Sequence, residues 1–144
     1  VEDNQDDIDL TLRALKKNGI SSDVLIARDG VDALSHLFDT SSDESHRKRR
    51  RPHIVLLDLK LPKMDGFQVL EKIRSDRRTR YLPVIILTSS KEERDLIEGY
   101  KCGANSYIRK PVDYEEFVEA VQRISTYWME LNEVPPDVGR ELHA

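Results

Sequence analysis

Short aliphatic runs recur along this chain, each followed by a stretch of helical periodicity, and that alternation restricts the fold more than any other feature. The runs are SDVLIAR, HIVLLD, PVIILT and SYIRK. Around them, apolar residues fall at helical spacing over residues 7–18, 30–38, 67–75, 92–102 and 114 to about 131, with Gly19 and Gly103 placed as stops. Strands alternating with helices of this length predict consecutive βαβ units, hence an α/β fold wound on both faces of a parallel sheet. Five helices in strict alternation require a strand before the first. The chain opens VEDN, so Val1 is read as the tail of a strand whose start precedes the numbering.

At 144 residues the chain suits a single domain, and a separate output domain does not fit comfortably beside it. The balance of 27 acids against 23 bases gives no bulk attraction for nucleic acid. Cys102 is the single cysteine, so no internal disulfide can form, and no apolar run approaches the roughly 18 residues of a membrane span. A reducing cytoplasm is the expected location, with no membrane partner.

Open parallel sheets bind ligands outside the carboxyl ends of their strands, so the residues at those ends are the ones that carry chemistry. Here they are Glu2 and Asp3, Asp58, Thr88 and Lys110, with Arg28 and Asp29 ending the run at 22–28. Carboxylates gathered within a few ångströms repel one another and raise each other's pKa unless a cation joins them. Hard oxygen donors in small number suit Mg²⁺, which keeps several waters and shares phosphate oxygens. Lys110 adds a mobile positive charge and Thr88 a hydroxyl, both suited to a phosphoryl group. An Asp at such a strand end can act as nucleophile and become an aspartyl phosphate, and this explains why the aliphatic strand IVLLD ends on a charge.

In order, VEDN, LLDLKLPKMDG, ILTSS and YIRKP resemble the strand ends of the response-regulator receiver domains of two-component signalling. The resemblance runs from Val1 to about Ile124. It implies a five-stranded sheet of flavodoxin-like order 2-1-3-4-5, and a phosphoprotein that accepts its phosphoryl group from a sensor histidine kinase without being an enzyme on external substrates. By position it makes Asp58 the phosphoacceptor and Asp3 a direct Mg²⁺ ligand, with Glu2 acting through water and the backbone carbonyl of Lys60 completing the protein donors. It makes Lys110 and Thr88 the partners of the phosphoryl oxygens, Tyr107 the rotating aromatic of the switch, and Pro111 the residue after a cis peptide bond.

The final helix adds a second expectation. Phe117, Val121, Ile124, Trp128 and Leu131 form a continuous apolar stripe that runs beyond what the core needs, and Tyr127 stands beside it. The ending YWMELNE resembles the single-domain regulators paired with phytochrome-type kinases, which implies a homodimer with Tyr127, Trp128 and Leu131 at the interface. The receiver unit is placed at residues 1–131 and a tail at 132–144. The basic run HRKRRR, in the polar loop 40–52, precedes the third strand, so it lies at the sheet end opposite Asp58 and reads as a solvated loop. Cys102 is expected to pack within the fourth helix.

Three rival readings concern the same residues. A haloacid-dehalogenase-type phosphotransferase needs an acid two positions after its nucleophile, where this chain has Lys60. A flavin-binding module needs a Ser/Thr/Gly cradle that the strand-end loops lack. A receiver that works without phosphorylation usually loses the acceptor or the acidic pair, and both are present.

Overall fold

The computed structural model describes residues 1–20, 24–38, 52–133 and 135. The basic run at 46–51 and nearly all of the proposed tail lie outside the described residues.

Among the described residues the α-helices and strands are, in sequence, α1 (Gln5–Lys17), α2 (Gly30–Leu37), β1 (Val55–Leu57), α3 (Gly66–Ser75), β2 (Val84–Thr88), α4 (Glu93–Lys101), β3 (Ser106–Arg109) and α5 (Tyr114–Thr126). Four of the five helices open on a side-chain cap. Asn4, Asp29, Asp65 and Asp113 each accept a hydrogen bond from the amide three residues on, and Asp65 completes a reciprocal box with Gln68. At its other end α1 stops at Gly19, whose φ of 77° is open to glycine at no steric cost.

The strands pair in the order β1-β2-β3, all parallel. Two further extended segments complete the five-stranded α/β arrangement. The Val1 nitrogen donates to the Leu56 carbonyl, the Asp58 amide donates to the Val1 carbonyl, and the Glu2 amide donates to the Ala27 carbonyl. Val1 and Glu2 therefore lie between β1 and the segment around Ala27, which is the expected order 2-1-3-4-5. The SDVLIAR run is only partly within the described residues.

Burial follows from this placement. β2 is central and buried at all five positions, and its alternate side chains feed two separate cores. Val84 and Ile86 join Leu57, Val69, Leu70 and Ile73 on the face covered by α2 and α3. Ile85 and Leu87 join Ala14, Leu15, Phe117 and Val121 on the face covered by α1 and α5. Asn18, at the end of α1, ties the second layer together by donating to the Gln122 carbonyl and to the hydroxyls of Ser125 and Thr126.

At the amino end of the sheet, Arg74 of α3 makes a clamp. Its guanidinium donates to the carbonyls of Gly103, Arg80 and Leu82 and to Asn105 Oδ1, while Asn105 Oδ1 also accepts from the Val84 amide.

The helical run past α5 departs from expectation in its geometry. Tyr127–Leu131 is a π-turn, closed by the Asn132 amide on the Tyr127 carbonyl at 2.6 Å. A wider turn changes the phase of the apolar stripe. Trp128 packs on the second core of its own domain, with the Tyr127 ring edge-on to it at 5.1 Å, whereas Leu131 is 71% exposed. Trp128 is thus half-buried against its own core, and Tyr127 and Leu131 are the more exposed residues of the run.

Candidate functional site

The carboxyl ends of the parallel strands meet at one edge of the sheet, and Asp58 follows β1 directly there. Buried strands run aliphatic until the chain reaches that edge, so the first polar residue of each one arrives at the same crevice. Asp58 Oδ1 accepts from the Leu59 amide at 2.7 Å, and the residue is 8% exposed. Gly66 lets the following loop fold back closely: a Cβ there would stand 2.4 Å from the Asp58 carbonyl oxygen. Lys63, at φ 66°, supplies the reversal between them and lies 3.4 Å from Asp29 Oδ2 at the start of α2.

Lys110 enters from the end of β3. Its amide donates to the Thr88 carbonyl at 2.7 Å, which fixes the backbone next to β2. Its Nζ donates to Glu2 Oε2 at 2.5 Å, Asp7 Oδ2 at 2.9 Å and Asp58 Oδ2 at 3.2 Å. Burial pulls the Lys110 pKa down, but the bonds to Glu2 and Asp7 and the charge of Asp58 outweigh it and leave the ammonium harder to deprotonate than usual. Burial raises the Glu2 pKa, Asp58 adds to the rise, and Lys110 opposes it.

Glu2, Asp3 and Asp58 each offer a carboxylate oxygen, and the three atoms lie within 4.8 Å of one another. One ammonium cannot balance these acids together with Asp7. The all-oxygen donor set and the surplus negative charge fit a hard divalent cation. Lys60 lies two residues beyond Asp58, in the loop that faces this cluster, and its side chain is exposed.

Thr88 ends β2, fully buried, and its Oγ1 accepts from the Ser90 amide at 3.2 Å. Ser90 in turn donates to Asp95 Oδ2 at 2.6 Å, linking the strand end to α4. Tyr107 of β3 turns its ring toward α4. A Cβ on Gly99 would stand 3.1 Å from Tyr107 Cδ2 and 2.9 Å from Ile86 Cδ1, so the absent side chain is what admits the ring. The Tyr107 hydroxyl is buried without a hydrogen-bond partner among the described residues, and burial pushes its pKa up despite the nearby Ser90 side chain.

Glu2, Asp3, Asp58 and Lys110 therefore converge, with one correction and one addition. The Lys110–Pro111 bond is trans, since no cis peptide occurs among the described residues. Three carboxylates draw the Lys110 side chain inward, and trans is the cheaper isomer even before proline. Sequence reasoning missed Asp7. An acid in the first turn of a helix reads as a dipole partner, yet the start of α1 brings Asp7 Oδ2 to Lys110 Nζ.

A doubly wound parallel sheet with an acid cluster, a buried hydroxyl and a buried lysine at one edge defines a phosphoryl-accepting signalling domain. The chain belongs to the response regulator receiver domain family, which matches residues 1–122. Among similar proteins, Response regulator Rcp1 of Synechocystis sp. is 35% identical over 135 residues, covering 94% of this chain and 90% of Rcp1. The probable methanogenesis regulatory protein FilR2 of Methanothrix harundinacea is 38% identical, covering 94% of this chain and 84% of FilR2. Among solved structures, the phosphorylated cyanobacterial phytochrome response regulator RcpA superposes with a TM-score of 0.86 at 34% identity, covering 94% of this chain and 95% of RcpA. The Mn²⁺-bound form of Rcp1 gives a TM-score of 0.84 at 34% identity, covering 94% and 96%.

The family makes the chain a signalling protein of the two-component type, resembling the single-domain regulators of phytochrome systems. Among the described residues no helix is long and apolar enough to cross a membrane.

Proposed function

We propose that Asp58 accepts a phosphoryl group from a sensor histidine kinase and that the charge change switches a protein-interaction surface through Thr88 and Tyr107. One observation carries this reading: Lys110 Nζ bonds Asp58 and Glu2 beside a three-acid cluster, in a chain of the receiver family. Glu2, Asp3, Asp58 and the Lys60 carbonyl would hold Mg²⁺, with Asp3 the direct carboxylate and Glu2 acting through water. The cation offsets charge on the transferring group. Lys110 draws a second oxygen, and the Thr88 hydroxyl turns from the Ser90 amide to donate to a third. Its departure from that amide loosens the Ser90–Asp95 link, and Tyr107 reports the change from its seat against Gly99.

The reading places the receiver unit at residues 1–131 in the cytoplasm, with no turnover of external phosphoesters. Acetyl phosphate and Mg²⁺ added to the purified chain, with intact mass as readout, should give a single phosphoryl adduct. Failure to form any adduct would favour a receiver that works without phosphorylation.

The kinase partner is proposed to be of phytochrome type, as the names of Rcp1's structural kin suggest for those proteins. We further propose self-association through the end of α5, where Tyr127 is 50% and Leu131 71% exposed. Tyr127 and Leu131 are the more exposed members of this contact, with Trp128 half-buried beside them. Sedimentation velocity on wild type and on the Tyr127→Ala, Leu131→Ala pair should show a dimer that the pair weakens at least about tenfold. A monomeric wild type at micromolar concentrations refutes it.

A further inference from the structure

We propose that Asp7 is a positioning residue for Lys110, and that by keeping a share of its ammonium it restrains the phosphorylation of Asp58. The inference rests on the reading of Asp58 as phosphoacceptor. An ammonium has three N–H donors, and here each one meets a carboxylate, on Glu2, Asp7 and Asp58. A phosphoryl oxygen can recruit Lys110 only when one of these acceptors yields.

The three acceptors differ in how they can yield. Glu2 belongs to the acid cluster suited to a cation, so a bound metal competes with Lys110 for its charge. Asp58 loses its carboxylate charge on becoming an acyl phosphate, whose charge sits on the phosphoryl oxygens. Asp7 is in neither position, because it stands outside the three-acid cluster and forms no bond to phosphorus. Its backbone is fixed independently, the amide on the Asn4 side chain and the carbonyl accepting from the Thr11 hydroxyl. The carboxylate stands 2.9 Å from Nζ, with the lysine side chain 8% and the Asp7 side chain 28% exposed, so water screens the pair only in part.

The transfer step is simple in its atoms. An Asp58 oxygen bonds to phosphorus while the bond from phosphorus to the donor's leaving oxygen breaks, and acetate departs with that electron pair; no proton moves. The incoming group is an anion, so a fixed negative charge that also occupies Lys110 opposes its approach. Removing that charge should make capture of the donor easier while leaving the attacking carboxylate in place.

Two measurements test this. At saturating Mg²⁺, Asp7→Asn should raise the second-order rate constant for adduct formation from acetyl phosphate about threefold or more, and Asp7→Glu should return it toward wild type. In the metal-free protein, the Lys110 ammonium protons, followed by nitrogen-15 NMR, should exchange with water measurably faster in Asp7→Asn. Merely loosened structure would slow adduct formation, so the direction separates the two roles. An unchanged or lower rate constant with an adduct still forming on Asp58 overturns the inference and leaves the proposed function standing. Unchanged ammonium exchange overturns it independently. No adduct in wild type removes both together.

Discussion

Lys110 Nζ lies 3.2 Å from Asp58 Oδ2, although the two residues stand 52 positions apart and follow strands that do not pair with each other. β2 separates them, and the lysine reaches over its carboxyl end. Replacing Lys110 with alanine leaves Glu2, Asp7 and Asp58 facing one another without their cation. The metal-free protein should lose about 3 kcal/mol of stability. Mg²⁺ should restore part of it and bind more tightly than in wild type. Adduct formation should nonetheless fall more than about tenfold, since the phosphoryl group has lost a charge partner. Chemical melts with and without Mg²⁺, set beside the adduct rate, check all three.

Tyr107 owes its place to the missing side chain at Gly99. Gly99→Ala puts a methyl 3.1 Å from the ring and 2.9 Å from Ile86 Cδ1, and the ring is the more easily moved. The Tyr107 hydroxyl, buried without a partner among the described residues, gains water by leaving. A fluorine label on the tyrosines should therefore report Tyr107 in a solvent-exposed state in this variant before any phosphorylation. An unmoved resonance contradicts the packing argument.

Cys102, at the end of α4, has its thiol pushed up from 9.0 to about 11, chiefly by burial and then by Glu98 and Glu71. A pKa raised on folding means the neutral thiol is favoured in the native state. The associated stability is present below the unfolded value near 9 and is lost as pH rises through about 11. At pH 8 alkylation should be at least about tenfold slower than for a free thiol, because the thiolate is the nucleophile. Glu98→Gln should speed it. An alkylation rate matching that of an unstructured peptide at pH 8 would contradict this.

Much of the site was legible because buried parallel strands leave few choices. In VLL and VIIL every position is apolar, so Asp58 and Thr88 stand out as the first polar groups at the same sheet edge, and strand order then brings Lys110 and the Glu2–Asp3 pair alongside. Asp7 was hidden because an acid in a first helical turn has a local reason to be there. Leu131 was placed in a stripe by counting at the α-helical period, which the π-turn at Tyr127–Leu131 breaks. The cis bond before Pro111 was expected from the resemblance alone, whereas three carboxylates draw the Lys110 side chain inward beside a trans bond.

The Arg74 clamp lies at the amino end of the sheet, away from Asp58. Arg74→Ala forfeits the bonds to Gly103, Arg80, Leu82 and Asn105 and should lower stability by about 2–3 kcal/mol in urea melts. Below the transition the adduct rate should match wild type. A large loss of adduct rate in still-folded protein would contradict the separation of the two ends.

The central claim is that Asp58 itself takes the phosphoryl group with help from a divalent cation. Intact mass of wild type and Asp58→Asn after acetyl phosphate, each with Mg²⁺ and with a chelator, tests it most directly. One adduct should form on wild type with Mg²⁺, and none in the other three samples. An adduct on Asp58→Asn at the wild-type rate, or one formed equally well in the chelator, would contradict the account.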